Sequence, residues 1–313
     1  MTSVHSIIGP AHSNRSLRRA SLKAASAAIT AISLAGSAAA TAGTIASDGF
    51  GGGPLADLAG SNGGSGWSGA WVDAAGDIPT WVAAPGLAWP GLQTTPGAAI
   101  SGTSDSVYPL TMYARGFGPL PAGTTQIYVS FLLREDAGWG WGGLRFGAYP
   151  YAMTVGVPMG SGVFGLMLSE GLGDFSNAPL VVGETSLVVV RISKNAGAGI
   201  TYRLYLDPPV GGAEPSWPLC IYSVAPVNAL PTSLTLINDG HFTTDEIRVG
   251  TTWASVLPAP SCPSDLNGDG IVDGADMALV LGGWGTSSPD LTNDGLVNGA
   301  DLAQLIGHWG PCP

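Results

Sequence analysis

Alternating apolar and polar positions run through the middle of the chain. Four segments there are rich in β-branched and aromatic residues and alternate with a period of two, which is typical of half-buried strands. They are Gln126–Arg134, Ser186–Ser193, Ile200–Leu206 and Glu246–Val249. No convincing amphipathic helical repeat lies between them. The pattern therefore predicts a mainly β protein, built as an antiparallel jelly-roll β-sandwich.

A basic segment followed by an apolar one stands near the N-terminus. Residues 24–40 are mostly apolar, and they follow a basic stretch that contains Arg15, Arg18, Arg19 and Lys23. This order is typical of an export signal, with cleavage after a small residue. A membrane span is the alternative, although about 20 apolar residues are usual for a span. The adjacent arginines also partly match a twin-arginine signal, which leaves the export route open.

We therefore predict a signal peptide over residues 1–42. The mature protein is expected to be secreted, extracellular or held at the cell surface, with no transmembrane helix. Removing the signal leaves seven basic residues against 22 acidic ones, a net charge of −15. Nucleic acids bind patches of Lys and Arg, so this charge argues against a nucleic-acid partner.

Two acidic loops of twelve residues, 265–276 and 290–301, repeat each other near the C-terminus. Calcium takes six to eight oxygen ligands, and such a loop supplies them from positions 1, 3, 5, 7, 9 and 12, with glycine at position 6. The predicted ligands of the first loop are Asp265, Asn267, Asp269, the Ile271 carbonyl, Asp273 and Asp276. Those of the second loop are Asp290, Thr292, Asp294, the Leu296 carbonyl, Asn298 and Asp301. The second loop has one carboxylate fewer, so we expect weaker binding there.

Each loop is followed by one short apolar segment, Ala275–Leu281 or Ala300–Ile306. Asp and Gly also fill ordinary solvated turns, but the two repeats are identical at 12 of 21 aligned positions, which argues against that alternative. This arrangement resembles a type I dockerin module. The resemblance implies a small all-α calcium-binding unit over residues 262–313, a link to polysaccharide breakdown, and attachment to a cohesin-like or other surface protein.

Two further segments carry a second resemblance. The glycine-rich segment Phe50–Trp71 and the segment Thr244–Trp253 resemble the opening and closing parts of concanavalin A-like, or laminin-G-like, jelly rolls of exported bacterial proteins. The resemblance implies that the first and last strands of the domain pair. We therefore expect the jelly roll to cover residues 43–257, followed by a proline-rich linker at 258–261.

The sequence offers no clear pair of catalytic carboxylates. Retaining jelly-roll endoglucanases, which this fold resembles, use a Glu-x-Asp-x-Glu pattern, in which alternate residues share one strand face. That pattern does not occur here. The nearest acidic pairs, Glu135-Asp136 and Asp245-Glu246, are adjacent and would point to opposite faces of a strand.

An aromatic cluster instead suggests glycan binding, because exposed aromatic faces stack on sugar rings. Its residues are Trp139, Trp141, Arg145, Tyr149 and Tyr151. Packing within the sandwich is the alternative role for them. We predict a calcium-binding protein whose jelly roll binds an extracellular polysaccharide or surface glycan. A glycoside hydrolase delivered by its dockerin, and a structural surface protein without a separate ligand, are the alternatives.

The three cysteines divide into a pair and a single residue. Cys262 and Cys312 bracket the calcium loops, and an exported chain can oxidise them. A disulfide between them would stabilise the folded state by about 4 kcal/mol in the chain-entropy model, because it closes a loop in the unfolded chain. Cys220 lies in an apolar, strand-like run and is expected to be a buried thiol.

Overall fold

The computed structural model describes residues 43–76, 79–101, 110–169, 171–196, 199–258, 262–267, 270–292 and 294–312. The predicted signal peptide lies outside these ranges, as does all but the first residue of the predicted linker. Within the described ranges, no helix is both long enough and apolar enough to cross a bilayer.

Thirteen of the strands that the structure describes form one antiparallel sheet. In chain order they are β1 (Thr44–Asp48), β2 (Val72–Gly76), β3 (Trp81–Ala83), β4 (Ala98–Ser101), β5 (Leu110–Gly116), β6 (Gln126–Phe146), β7 (Met153–Val157), β8 (Val163–Leu168), β9 (Gly173–Pro179), β10 (Ser186–Lys194), β11 (Ile200–Leu206), β12 (Cys220–Val224) and β13 (Ser233–Gly250). A short helix, α1 (Trp253–Val256), follows the last of them.

The long strands β6 and β13 fold this sheet into two layers. They pair with each other from Leu234↔Phe146 to Gly250↔Tyr128, with register shifts between Asp239 and Arg248. The first half of β6 pairs with β10, which continues to β11 and β12, and its last residues pair with β7. One end of β13 pairs with β5 and its other end with β4 and β1. The first and last strands of the domain are therefore neighbours.

The main hydrophobic core lies between the layers. On β10, Val188, Val190 and Ile192 point into it, and the residues between them point away. A smaller cluster covers the other side of this layer, where α1 packs Trp253 against Tyr128 and Tyr205. The period-two pattern, together with the burial of side chains on both faces of this layer, explains why these residues form strands.

The glycine-rich opening segment is ordered around Arg115 of β5. The guanidinium forms a buried ion pair with Asp48 at 2.5 Å and lies over the rings of Trp67 and Trp71. It also donates to Asn62 and to the carbonyls of residues 63 and 69. Glycine is required at position 66, because a Cβ there would lie 1.8 Å from the Ile45 carbonyl oxygen. The spaced glycines thus let the backbone wrap closely around one buried cation.

The expectation of a separate, all-α C-terminal module is wrong. Three short helices are present in the described part of the chain, and α1 belongs to the sandwich. The C-terminal segment holds α2 (Gly274–Gly282) and α3 (Gly299–Gly307), together with a ladder between β14 (Ile271–Val272) and β15 (Gly310–Pro311). Ile271 and Val272 are β-branched and directly follow a glycine turn, so they extend and pair instead of joining the helix. We call residues 262–312 the paired-loop segment.

A disulfide joins Cys262 to Cys312, with their Cα atoms 5.7 Å apart, so it links the two ends of the paired-loop segment. Val272, Val280, Val297 and Leu305 form the small core of this segment. Cys220 is a buried thiol on β12.

Candidate functional site

The two calcium-type loops have nearly the same internal hydrogen bonds. In each loop, the glycine at position 6 has a positive φ and donates its N–H to the aspartate at position 1, Gly270 to Asp265 and Gly295 to Asp290. The residue at position 9 caps the following helix, and position 12 completes the capping box. The repeat seen in the sequence is therefore a repeat of structure.

The aspartate at position 12 of each loop accepts three backbone hydrogen bonds. Asp276 accepts the N–H groups of Leu266, Asn267 and Asp273, and Asp301 accepts the equivalent three in its own loop. Both side chains are fully enclosed. Backbone hydrogen bonds, that from Asn298 first, lower the pKa of Asp301 to about 2, and equivalent bonds lower the pKa of Asp276. Both carboxylates are thus ionised at neutral pH and fixed in direction.

The second loop brings its predicted ligands into contact. Thr292 Oγ1 lies 3.4 Å from an Asp290 oxygen and 3.1 Å from an Asp301 oxygen. The Asn298 amide donates to Asp294 and to the Leu296 carbonyl. In the first loop, Asp269 lies outside the described residues.

The donor chemistry of both loops fits calcium, because carboxylate, amide, hydroxyl and carbonyl oxygens are its usual ligands. The glycine turns fit the loop geometry as well. Among the described residues, however, no three Asp, Glu, His or Cys side chains are grouped closely enough to hold a metal ion. Calcium binding and the ranking of the two loops therefore stay predictions.

The predicted aromatic cluster is only partly assembled. Trp141 and Arg145 lie on the same face of β6, which is turned away from the main core because Leu144 and Phe146 point into it. The Trp141 indole donates to Asp239 on β13 at 3.0 Å, and Arg145 contacts Thr154.

The two tyrosines of this cluster lie in the connection between β6 and β7. Tyr149 and Tyr151 are 76% and 40% exposed. The side chain of Trp139 lies outside what the structure describes. We call the surface formed by Trp141 and Arg145 of β6, with Tyr149 and Tyr151 of the connection that follows it, the β6 face.

The acidic pair Asp245-Glu246 has a structural role. Asp245 is fully enclosed and accepts the N–H groups of Leu87 and Glu246. Glu246, in a left-handed backbone conformation, accepts the Thr95 N–H and pairs with Arg248 at 2.9 Å. Hydrogen bonds to this acidic pair thus hold the connection between β3 and β4 against β13.

The two carboxylates of the second acidic pair, Glu135-Asp136, do not face a common cleft either. Asp136 is bound to Arg134 at 2.5 Å and accepts a hydrogen bond from Thr243, while the Glu135 side chain is buried. Neither pair therefore presents two carboxylates to a common open surface.

The raised pKa of Asp245 predicts that the free energy of unfolding falls as pH rises. Burial, and then the charge of Glu246, raises its pKa to about 8, whereas an unfolded Asp titrates near 3.9. Between these values the folded chain keeps a proton that the unfolded chain releases, so stability falls with pH, by at most about 1.4 kcal/mol per pH unit. We expect urea denaturation of Asp245→Asn to show a flatter dependence between pH 5 and 8. Asp136→Asn is the control, and an equal flattening in both variants would contradict the assignment.

A cavity of about 260 Å³ lies on the outer face of β10 and β11. Its lining consists of Arg191, Arg203, Tyr205, Glu214, Pro215, Ser216 and Pro218. We call it the Glu214 pocket. Arg191 and Arg203 are directly opposite each other in the ladder, and both point away from the main core because their neighbours on each strand point into it.

Glu214 closes one side of this pocket. Its carboxylate accepts the hydroxyls of Tyr128 at 2.8 Å and Tyr205 at 2.5 Å, and it pairs with Arg191 at 3.2 Å. Burial alone would raise the pKa of Glu214, but the hydrogen bonds from Tyr205, Tyr128 and Arg191 lower it below its usual value. The carboxylate is therefore charged at neutral pH, and it fixes the loop between β11 and β12 against the sheet.

Trp217 stands in the same loop, between the lining residues Ser216 and Pro218, and is 89% exposed. Sequence reasoning missed this site. The available signals were a tryptophan between prolines in the polar connection 207–219 and arginines at alternating positions of two predicted strands. Neither signal shows that the loop folds back over those arginines.

The fold and its surface define an antiparallel β-sandwich protein with a polar pocket on one outer face. No family model matches the chain, and no curated protein matches it in sequence.

Several solved structures are similar to the sandwich. Domain 4 of AbnA, a GH43 extracellular arabinanase from Geobacillus stearothermophilus in complex with arabinotriose, is 13% identical, with a TM-score of 0.42, over 70% of this chain and 98% of that one. An endo-β-1,4-glucuronan lyase from the fungus Trichoderma reesei is 12% identical, with a TM-score of 0.37, over 63% and 96%. An endo-1,3-β-glucanase from Streptomyces sioyaensis is 8% identical, with a TM-score of 0.36, over 67% and 96%. Such values transfer no activity to this chain.

Proposed function

We propose that this protein is an exported glycan-binding protein whose sandwich holds a saccharide at the Glu214 pocket. The observation that carries the proposal is the exposure of Trp217 in a loop whose neighbouring residues line a cavity with charged and hydroxyl groups. Water contact with a large apolar ring is unfavourable, and a sugar ring offers an apolar face that can cover it. The pocket supplies donors and acceptors for the sugar hydroxyls, as small-molecule sites do.

The loop chemistry supports the same function. Pro215 and Pro218 flank Trp217 closely and restrict the backbone, so less conformational entropy is lost when a ligand binds. Glu214 ties the loop to β6, β10 and β11 through its three donors. The loop therefore offers an exposed aromatic ring next to polar groups that are already fixed, which lowers the ordering cost of binding a saccharide.

Trp217→Ala is expected to weaken binding to the best ligand of a polysaccharide panel by about tenfold, equal to 1.4 kcal/mol. Affinity electrophoresis of the mature protein measures the change. Trp309→Ala, which removes a half-exposed tryptophan from the paired-loop segment, is the matched control. Unchanged binding by Trp217→Ala would contradict the proposal.

The same experiment tests the alternative surface and the alternative activity. If Tyr149→Ala loses binding and Trp217→Ala does not, the saccharide lies on the β6 face. Reducing ends are assayed on every polysaccharide of the panel. Their release by the wild-type protein would favour the glycoside-hydrolase alternative, and a panel with neither retention nor release would leave the structural alternative.

The paired-loop segment is proposed to bind calcium and to attach the protein to a cohesin-like or other surface partner. Its surface supports an attachment role, because several large apolar side chains in this small segment are about half exposed. They are Ile271, Leu279, Leu281, Trp284, Leu296, Ile306 and Trp309. Its small core of four residues leaves these side chains available to a partner.

A further inference from the structure

We propose that the Glu214 pocket selects a saccharide that carries a carboxylate, with the sugar ring on Trp217 and the carboxylate on Arg203. This inference rests on the proposed function, since it names the ligand class of the same pocket. It requires a local excess of positive charge, a cation that can reach the ligand, and a reason to favour a carboxylate over a hydroxyl.

The excess of positive charge comes from the strand register. Arg191 and Arg203 are directly opposite each other, and like charges in that relation destabilise a sheet. Glu214 supplies one negative charge to this pair of cations. The pocket therefore carries a net charge of one positive unit, in a protein whose formal net charge is −11.

The two arginines differ in what holds them. Arg191 is engaged by Glu214 and by Gln126, the latter at 2.7 Å, and it lies over the Tyr128 ring. Arg203 donates to the Ser193 hydroxyl at 3.1 Å. Among the residues that the structure describes, no carboxylate lies within salt-bridge distance of Arg203. Arg203 is therefore the cation whose charge a ligand would neutralise.

A carboxylate suits this cation better than a hydroxyl does. A guanidinium binds a carboxylate through two parallel N–H···O bonds, which are shorter and about twice as strong as neutral hydrogen bonds. The ligand carboxylate would also relieve the repulsion between the opposed arginines. A hexuronic-acid residue combines that group with a ring for Trp217.

The test compares a short oligogalacturonate with its carboxyl-reduced, neutral counterpart, which has the same length and linkages. Titration calorimetry on the mature protein at low salt measures both affinities. We expect the acidic oligomer to bind about tenfold more tightly, and the preference to shrink as salt screens the ion pair. Short oligomers are used because the acidic protein as a whole repels a long polyanion.

Two variants of Arg203 and one control variant locate the preference. Arg203→Gln is expected to reduce the affinity for the acidic oligomer to that for the neutral one, without lowering the melting temperature, because it relieves the repulsion between the opposed arginines. Arg134→Gln, which removes a cation bound to Asp136 elsewhere on the surface, is the control and should keep the preference. Arg203→Lys keeps the charge but loses the planar fork, so it should retain only part of the preference.

The outcomes separate this inference from the proposed function. Equal affinities for the two oligomers would overturn the carboxylate preference, whereas neutral-glycan binding lost in Trp217→Ala would still support the pocket. A short polyglutamate that binds as tightly as the oligogalacturonate would overturn the saccharide assignment. Absence of binding to any saccharide would overturn both proposals.

Discussion

Arg115→Met is expected to lower the free energy of unfolding of the sandwich by about 3–5 kcal/mol, as loss of one partner from a buried ion pair usually does. Among the described residues, the variant would leave the buried Asp48 carboxylate with the Trp71 indole and the Phe50 N–H as its donors. It would also remove the donors to the glycine-rich segment at residues 62, 63 and 69. Urea denaturation followed by tryptophan fluorescence measures the loss.

Arg134→Met is the matched control, because Arg134 also pairs with an aspartate at 2.5 Å but is one-third exposed. Exposed pairs contribute only about 0–1 kcal/mol, so the control should change little. The double variant Asp48→Asn/Arg115→Met should lose less than the sum of the two single losses, since both act on one network. A loss from Arg115→Met no greater than that of the control would show that the cation does not organise this segment.

Chelation of calcium is expected to lower the stability of the paired-loop segment by about 2.7 kcal/mol for each site that is filled at a hundred times its dissociation constant. The first loop holds four carboxylates in twelve residues, and these repel one another unless a cation neutralises them. Asp265→Ala and Asp276→Ala should therefore reduce the calcium-dependent gain more than Thr292→Ala does. Scanning calorimetry of the disulfide-bonded protein, with calcium or with EDTA, measures these differences.

Asp73→Ala is the control for the loss of a carboxylate, because Asp73 is an exposed residue of β2 outside the loops. It should leave the calcium-dependent shift unchanged. Equal losses from the variants at 265, 276 and 292 would contradict the ranking of the loops. Identical unfolding in calcium and in EDTA would refute the calcium proposal itself.

The strands were predictable because the period of the pattern is local. Ser186–Ser193 and Ile200–Leu206 lie within β10 and β11, where aliphatic and tyrosine side chains of the main core alternate with residues that face away from it. The acidic loops were equally readable, because the glycine turns and the caps on Ala275 and Ala300 form within twelve residues.

The all-α expectation failed for a nonlocal reason. The extended pair Ile271–Val272 finds its partner in Gly310–Pro311, far along the chain. No pattern within either loop specifies that pairing. The repeat of loop and helix therefore predicts each half, and the flanking cysteines predict the disulfide between Cys262 and Cys312, but neither pattern predicts the ladder that closes the segment.

The candidate site is also only partly predictable from the sequence. The alternation of Arg191 and Arg203 with core residues is visible in the sequence, but their opposition depends on the register between β10 and β11. The placement of Glu214 over them depends on how the connection after β11 folds back. The aromatic cluster, by contrast, is predicted from nearness in sequence. Among its members whose side chains the structure describes, Trp141 and Arg145 share a face of β6, and the two tyrosines lie beyond that strand.

The sequence by itself determined the strand pattern and the acidic loops with their turns, since each depends on neighbours within about a dozen residues. It also determined the excess of acidic charge, because net charge depends on composition alone. Only the tertiary structure decided that Arg115 is the centre of the glycine-rich segment, that Asp245 is enclosed, and that the loop carrying Trp217 lines a cationic pocket. These features join residues that are distant in the chain. They are set by sheet register and loop packing, which local periodicity does not encode.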